Sequence, residues 1–152
     1  MKPTTEIRRP ANFFALISLA LALAATATPW LMLHSPGLAL TVQRGFSLVC
    51  HQRPERSFFL FGGAVAVCAR CLGIYLGTAI GMLVRIPRQF AWRLLTAAAS
   101  INLIDWLAEF AGLHGNWMIA RFALGFALGA GAAMLVTTTI DEVKIPTQAK
   151  AA

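Results

Sequence analysis

Cysteine, histidine and arginine gather in one stretch of this chain. It begins at Cys50-His51-Gln52-Arg53-Pro54, continues through Arg56 and ends in Cys68-Ala69-Arg70-Cys71. Cys50, His51, Cys68 and Cys71 are four soft donors, enough for a tetrahedral site that holds zinc or another thiophilic metal. Cys68-x-x-Cys71 is a common ligand spacing. Adjacent Cys50 and His51 are a rarer pair, because neighbouring side chains on extended backbone point apart. The same thiols suit thiol–disulfide exchange between Cys68 and Cys71 with Cys50 as third partner. Arg70 and a helix N-terminus beside them would lower a thiol pKa. A third reading makes the cluster purely structural in a non-catalytic assembly protein. Three cysteines, an odd number, cannot all pair within one chain. The residues leave these alternatives open. His34 and His114 read as plain loop residues.

Four arginines, Arg53, Arg56, Arg70 and Arg121, are candidates to converge on an anion, since guanidinium binds phosphate or carboxylate through two parallel bonds. Gln52, Tyr75, Asn102, Asp105 and Glu109 are the candidate polar lining of the same pocket. Asn102, Asp105 and Glu109 recur at helical spacing and share one face. Asp105 or Glu109 is expected to pair with Arg121 or Arg70, because an unpaired charge at a transmembrane helix centre costs about 2.5–3.5 kcal/mol. The chain carries no G-x-S-x-G, H-E-x-x-H or Walker loop. No reaction is assigned from sequence.

The elements that must position these groups are apolar. Of 152 residues, 58% are hydrophobic and 12% charged, against about 25% charged in soluble domains. Mean hydropathy is +0.68. The expected fold is an all-α integral membrane protein of about four transmembrane helices, at 13–33, 67–84, 91–113 and 117–138. A motif loop at 50–66 precedes the second helix. Residues 1–12 and 140–152 form cytoplasmic tails around a single transmembrane domain at 13–139. Pro10 is expected to stop the first helix from reaching further back. A basic start, a short apolar core and Ala25-Thr26-Ala27 also fit a cleaved signal peptide, a rival for residues 1–27. Leu38, Val42, Phe46 and Val49 predict a short interfacial helix. Gly62-Gly63 between two apolar runs predicts a hairpin or re-entrant turn. Residues 140–152 are expected to fray.

The net charge of +7 does not imply nucleic acid, because basic residues sit at helix ends as the positive-inside rule expects. Arg85, Arg88 and Arg93 mark a cytoplasmic loop, which places both termini inside a cell membrane and the motif on the outer face. The expected partner is membrane lipid, anionic at the arginines. Gly73, Gly77 and Gly81, with Gly125 and Gly129, form small-residue faces that serve helix packing within one chain or between copies.

The motif stretch resembles a family of small bacterial and archaeal membrane proteins, DUF2085. The matching residues are Cys50-His51-Gln52, Pro54, Arg56-Ser57 and Cys68-Ala69-Arg70-Cys71-Leu72-Gly73-Ile74-Tyr75-Leu76-Gly77. Asp105, and Arg121 with Gly125, resemble later features of the family; Trp106 stands where its pattern has glycine. The resemblance implies a multi-pass membrane protein with a Cys/His/Arg motif and supplies no activity.

Overall fold

The computed structural model describes residues 5–149 except 114 and 116, which leaves His114 outside the described residues. Among the described residues are five α-helices, one short 3-10 turn at Pro54–Arg56 and one small hairpin: α1 (Thr5–His34), α2 (Pro36–Ser47), β1 (Phe59–Leu60), β2 (Gly63–Ala64), α3 (Ala69–Gly81), α4 (Arg88–Phe110) and α5 (Met118–Ala149). α3 packs between α1 and α5, α4 lies on α5, and α2 folds back against α1. The all-α class holds.

Two of these helices contain segments long and apolar enough to cross a membrane, Pro10–His34 and Met118–Ile140. α3 runs Ala69–Gly81 rather than 67–84. Its 13 residues reach only about 20 Å at 1.5 Å per residue, short of a hydrocarbon core of about 30 Å. It starts late because Cys68 keeps an extended backbone, φ −68° and ψ 158°, as the cap of the helix. α4 has 23 residues but carries Arg88, Arg93, Asn102, Asp105 and Glu109. It ends at Phe110 rather than 113 because Gly112 turns left-handed at φ +69°. The Leu113 N–H then donates back to the Ala108 carbonyl at 2.9 Å, the closing bond of a Schellman cap. α5 continues helical to Ala149, well into the segment expected to fray.

Both prolines of α1 lie inside the helix. Pro10 does not stop it. As the sixth residue of α1 it lies past the first four N–H groups, so it forfeits one helical bond, to the Glu6 carbonyl, without ending the helix. Pro29 has a larger consequence. It lacks the N–H that would bond the carbonyl four residues back, so the Ala25 oxygen is left to another donor. The Ala66 N–H takes it at 3.1 Å. The segment leading into Cys68 is thereby docked on α1, and Gly63 sits close enough that a Cβ there would meet the Pro29 Cβ at 3.3 Å.

The predicted hairpin is present, with Phe59 opposite Ala64 and Leu60 opposite Gly63. Its turn lies one residue earlier than Gly62-Gly63. Phe61 (φ 50°) and Gly62 (φ 79°) take the two positive-φ positions, as a primed two-residue turn requires. Phe59, Leu60 and Phe61 are exposed at its tip.

The glycine faces are used within the chain. A Cβ at Gly73 or Gly77 would come within 2.2 or 2.1 Å of the Phe122 or Phe126 carbonyl oxygen. One at Gly125 or Gly129 would come within 2.1 or 2.3 Å of the Arg70 or Ile74 oxygen. Gly81 meets Ala130 in the same way. Backbone touches backbone along the whole α3–α5 seam. This seam fixes the height of Arg70 and Cys71 on α3 against Arg121 on α5.

Candidate metal centre and guanidinium cavity

The three thiols arrive from two directions. Cys50 follows α2, where the Cys50 N–H donates to the Phe46 oxygen at 2.9 Å. Cys68 and Cys71 lie at the cap and in the first turn of α3. The sulfur atoms of Cys50, Cys68 and Cys71 all lie within 4.8 Å of one another, and none is in a disulfide. Cys50 is buried, at 6% exposure, in a core cluster with Ala22, Ala25, Phe46, Ala66, Val67 and Leu72. The Cys68 N–H donates to the Cys50 sulfur at 3.2 Å. Hydrogen bonds from the Cys68 and Cys71 thiols, with this backbone N–H behind them, hold the Cys50 thiol well below its ordinary pKa despite burial. Its thiolate is the form the surroundings favour.

Four-coordinate zinc binds thiolate at about 2.3 Å, so sulfurs around one ion stand about 3.8 Å apart. The three thiols, all within 4.8 Å of one another, are close enough to share one ion. His51 is exposed and lies outside the group of mutually close ligand atoms, although it lines the same cavity.

Gln52 ties the two cysteine-bearing segments together. Its side-chain N–H group donates to the Gln43 carbonyl at 2.6 Å and to the Ala66 carbonyl at 2.9 Å. One amide therefore bridges α2 and the segment before Cys68. Its own backbone is left-handed, φ 50°, a conformation that costs about 1–2 kcal/mol for a residue with a Cβ.

The cavity beside the thiols measures about 360 Å³. Val49, His51, Gln52 and Trp106 form part of its wall, and all four candidate arginines line it. Arg70 pairs with Asp105. Arg121 pairs with Glu109, and Arg56 reaches the other oxygen of Glu109 at 2.8 Å. Glu109 thus bridges the motif loop and α5. Arg121 is buried, at 4% exposure, and its Nε has no hydrogen-bond partner; the same holds for the Nε of Arg70. Arg53 is exposed on the cavity rim.

Of the expected polar lining only Gln52 faces the cavity; Asp105 and Glu109 reach it through the arginines they pair with, and two residues lie elsewhere. Tyr75 packs its ring against Phe46, centroids 6.1 Å apart. Asn102 is buried and donates to the Ala98 and Leu124 carbonyls at 2.9 and 3.0 Å, tying α4 to α5. Conversely, Trp106 and Val49 line the cavity with no polar pattern to announce them. For Trp106 the one available signal is its place directly after Asp105. Ala25 and Pro29, which seat the motif segment on α1, read as ordinary members of an apolar run; only the proline marks the carbonyl left over.

Residues 50–135 match the model of a family described as "Predicted membrane protein (DUF2085)". An uncharacterised protein of Methanocaldococcus jannaschii is 39% identical over 94 residues, covering 55% of this chain and 58% of that one. An uncharacterised protein of Methanothermobacter thermautotrophicus is 34% identical over 95 residues, covering 59% of this chain and 86% of that one. The chain thus spans somewhat over half the length of the first of these relatives. No solved structure matches. The matched region opens on Cys50 and holds every thiol and every guanidinium that meets at the cavity, and the chain belongs to the DUF2085 family of predicted membrane proteins.

Proposed function

We propose that this membrane protein holds a zinc-like metal on Cys50, Cys68 and Cys71, with the fourth position facing the guanidinium-lined cavity. The observation that carries the reading is the convergence of three free thiols within 4.8 Å. Three protein ligands with one position left over is the pattern of a site that binds something at the metal, whereas a purely structural site closes all four. His51 on the cavity wall is the protein donor nearest to that role in sequence. The cavity is the ligand side of the centre, and its arginines suit an anionic group. In this reading the chain sits in the cell membrane with about four passes: α4 makes one, and the 13-residue α3 completes another only together with the chain on either side of it. Both termini are cytoplasmic, and the exposed hairpin tip meets lipid on the outer side.

The test is elemental mass spectrometry on detergent-purified protein, with free thiols counted on the same sample. About one metal per chain is expected, with thiols protected until a chelator is added and metal lost in Cys68→Ala and Cys71→Ala. The same proximity favours one rival, reversible thiol–disulfide exchange. That reading replaces the first if the sample holds no metal and two of its cysteines are oxidised. Metal-free protein with three reduced thiols, and a cysteine variant that only lowers yield, would leave a scaffold in which the cluster serves folding.

A further inference from the structure

The lining of the cavity is positively charged. Arg53, Arg56, Arg70 and Arg121 line it, and Asp105 and Glu109 are the acids paired with them. Its described lining holds four guanidiniums and no carboxylate. A divalent metal on three thiolates would contribute a net charge of about −1, so the lining would stay positive. Part of this charge is deeply buried. Arg121 is 4% exposed with an unpartnered Nε, and its carboxylate partner Glu109 is shared with Arg56 through the other oxygen. Buried cations persist where an anion offsets them.

We infer that the cavity binds a phosphate group, and that this group is the anionic ligand of the site. The inference deepens the metal-centre reading and rests on it for the cavity's role as a ligand site, but not for the anion's attachment. Direction favours phosphate over carboxylate. The guanidiniums come from three elements: Arg53 and Arg56 from the motif loop, Arg70 from α3 and Arg121 from α5. A planar carboxylate presents two oxygens, whereas a tetrahedral phosphate offers oxygens to donors on several sides at once. Size also fits. About 360 Å³ lies within the range of roughly 300–1,000 Å³ typical of small-molecule sites, so an organic phosphate has room. Trp106 and Val49 give the wall an apolar side for the rest of such a molecule. Phosphate binding would give Arg56 and Arg121 a second anion and relieve their shared claim on Glu109.

Two sources carry this chemistry, a lipid head group and a free phosphate. Protein purified in phosphate-free detergent would be analysed for metal and for phosphorus on one sample, with lipid extraction. It would then be titrated with inorganic phosphate by calorimetry. Phosphorus-bearing lipid retained in proportion to protein assigns a head group; saturable binding of inorganic phosphate to lipid-free protein assigns a free phosphate. In either case Arg53→Ala, which removes an exposed rim residue, should weaken the interaction about tenfold while metal content stays unchanged. Arg56→Ala should do the same, so a folding failure in one variant does not decide the result. Metal-loaded wild type with neither retained phosphorus nor a phosphate response would overturn the inference and leave the metal centre standing. Unchanged binding in both variants would overturn it as well. Phosphate binding by metal-free protein would uphold it and remove the metal.

Discussion

Gly125→Ala probes the seam that carries the site. An alanine Cβ at this position would sit 2.1 Å from the Arg70 carbonyl oxygen, 2.9 Å from its carbon and 3.1 Å from its Cα. Ordinary contact begins at 3.4 Å, so α3 and α5 must separate by about 1.3 Å locally, and rigid backbone on both sides offers no side chain to swing away. Overpacking of this kind costs about 1–3 kcal/mol, and more when backbone must move. Helix propensity works in the opposite direction and favours alanine by only about 1 kcal/mol. Gly45→Ala is the control: it lies in α2, has nothing within 4 Å, and should be neutral or stabilising by that propensity term. The displacement at Gly125 falls on Arg70, between Cys68 and Cys71, so it should also move the thiols of α3 away from Cys50. Unfolding of both variants in a detergent series gives the stability difference, and thiol protection by added zinc gives the site's integrity. A Gly125→Ala protein as stable as Gly45→Ala, with undiminished protection, would refute the close seam and the idea that it sets the site.

Three other expectations follow from single residues. Gln52→Ala removes two bridging hydrogen bonds and should lower metal affinity about 10–100-fold, as loss of a supporting partner does; Gln52→Gly, free of the strain at φ 50°, should be more stable than the alanine variant by about 1–2 kcal/mol in unfolding titrations, and equal stability would remove the strain. Glu109→Gln leaves the buried Arg121 without its anion and should cost about 3–5 kcal/mol, whereas Arg56→Ala, which removes a partner one-third exposed, should cost no more than about 1 kcal/mol. Finally, metal uptake displaces protons from thiols. Uptake should therefore release protons to the buffer, measurable by calorimetry in buffers of different ionisation enthalpy. Affinity should fall as pH falls, since protons then compete with the metal for the thiolates.

Much of the site was legible before any coordinates. Thiols and guanidiniums embedded in an apolar chain must find partners, and Cys50, Cys68, Cys71 and the four arginines do meet at one cavity. That Asp105 and Glu109 find Arg70 and Arg121 follows from helical spacing and the cost of burying charge; which acid takes which arginine does not. Nor does the double use of Glu109, because Arg56 reaches it from a loop whose path no periodicity describes. Likewise the turn at Phe61-Gly62 escaped a reading that placed it at Gly62-Gly63, since a phenylalanine at positive φ is tolerated only where strand register demands it.

Composition, hydropathy and local spacing determined the all-α membrane class, the short helix α2, the hairpin and the residue types that meet at the cavity. These are properties of short segments, set by apolar content and by periods of two or 3.6 residues. Tertiary structure decided which segments are neighbours. It seated the motif segment on the carbonyl released by Pro29, turned the glycine faces inward along one seam, and left His51 outside the close thiol group while bringing Cys50 within 4.8 Å of residues eighteen and more positions away. Such choices depend on which backbone can approach which, and that is decided only when the whole chain packs.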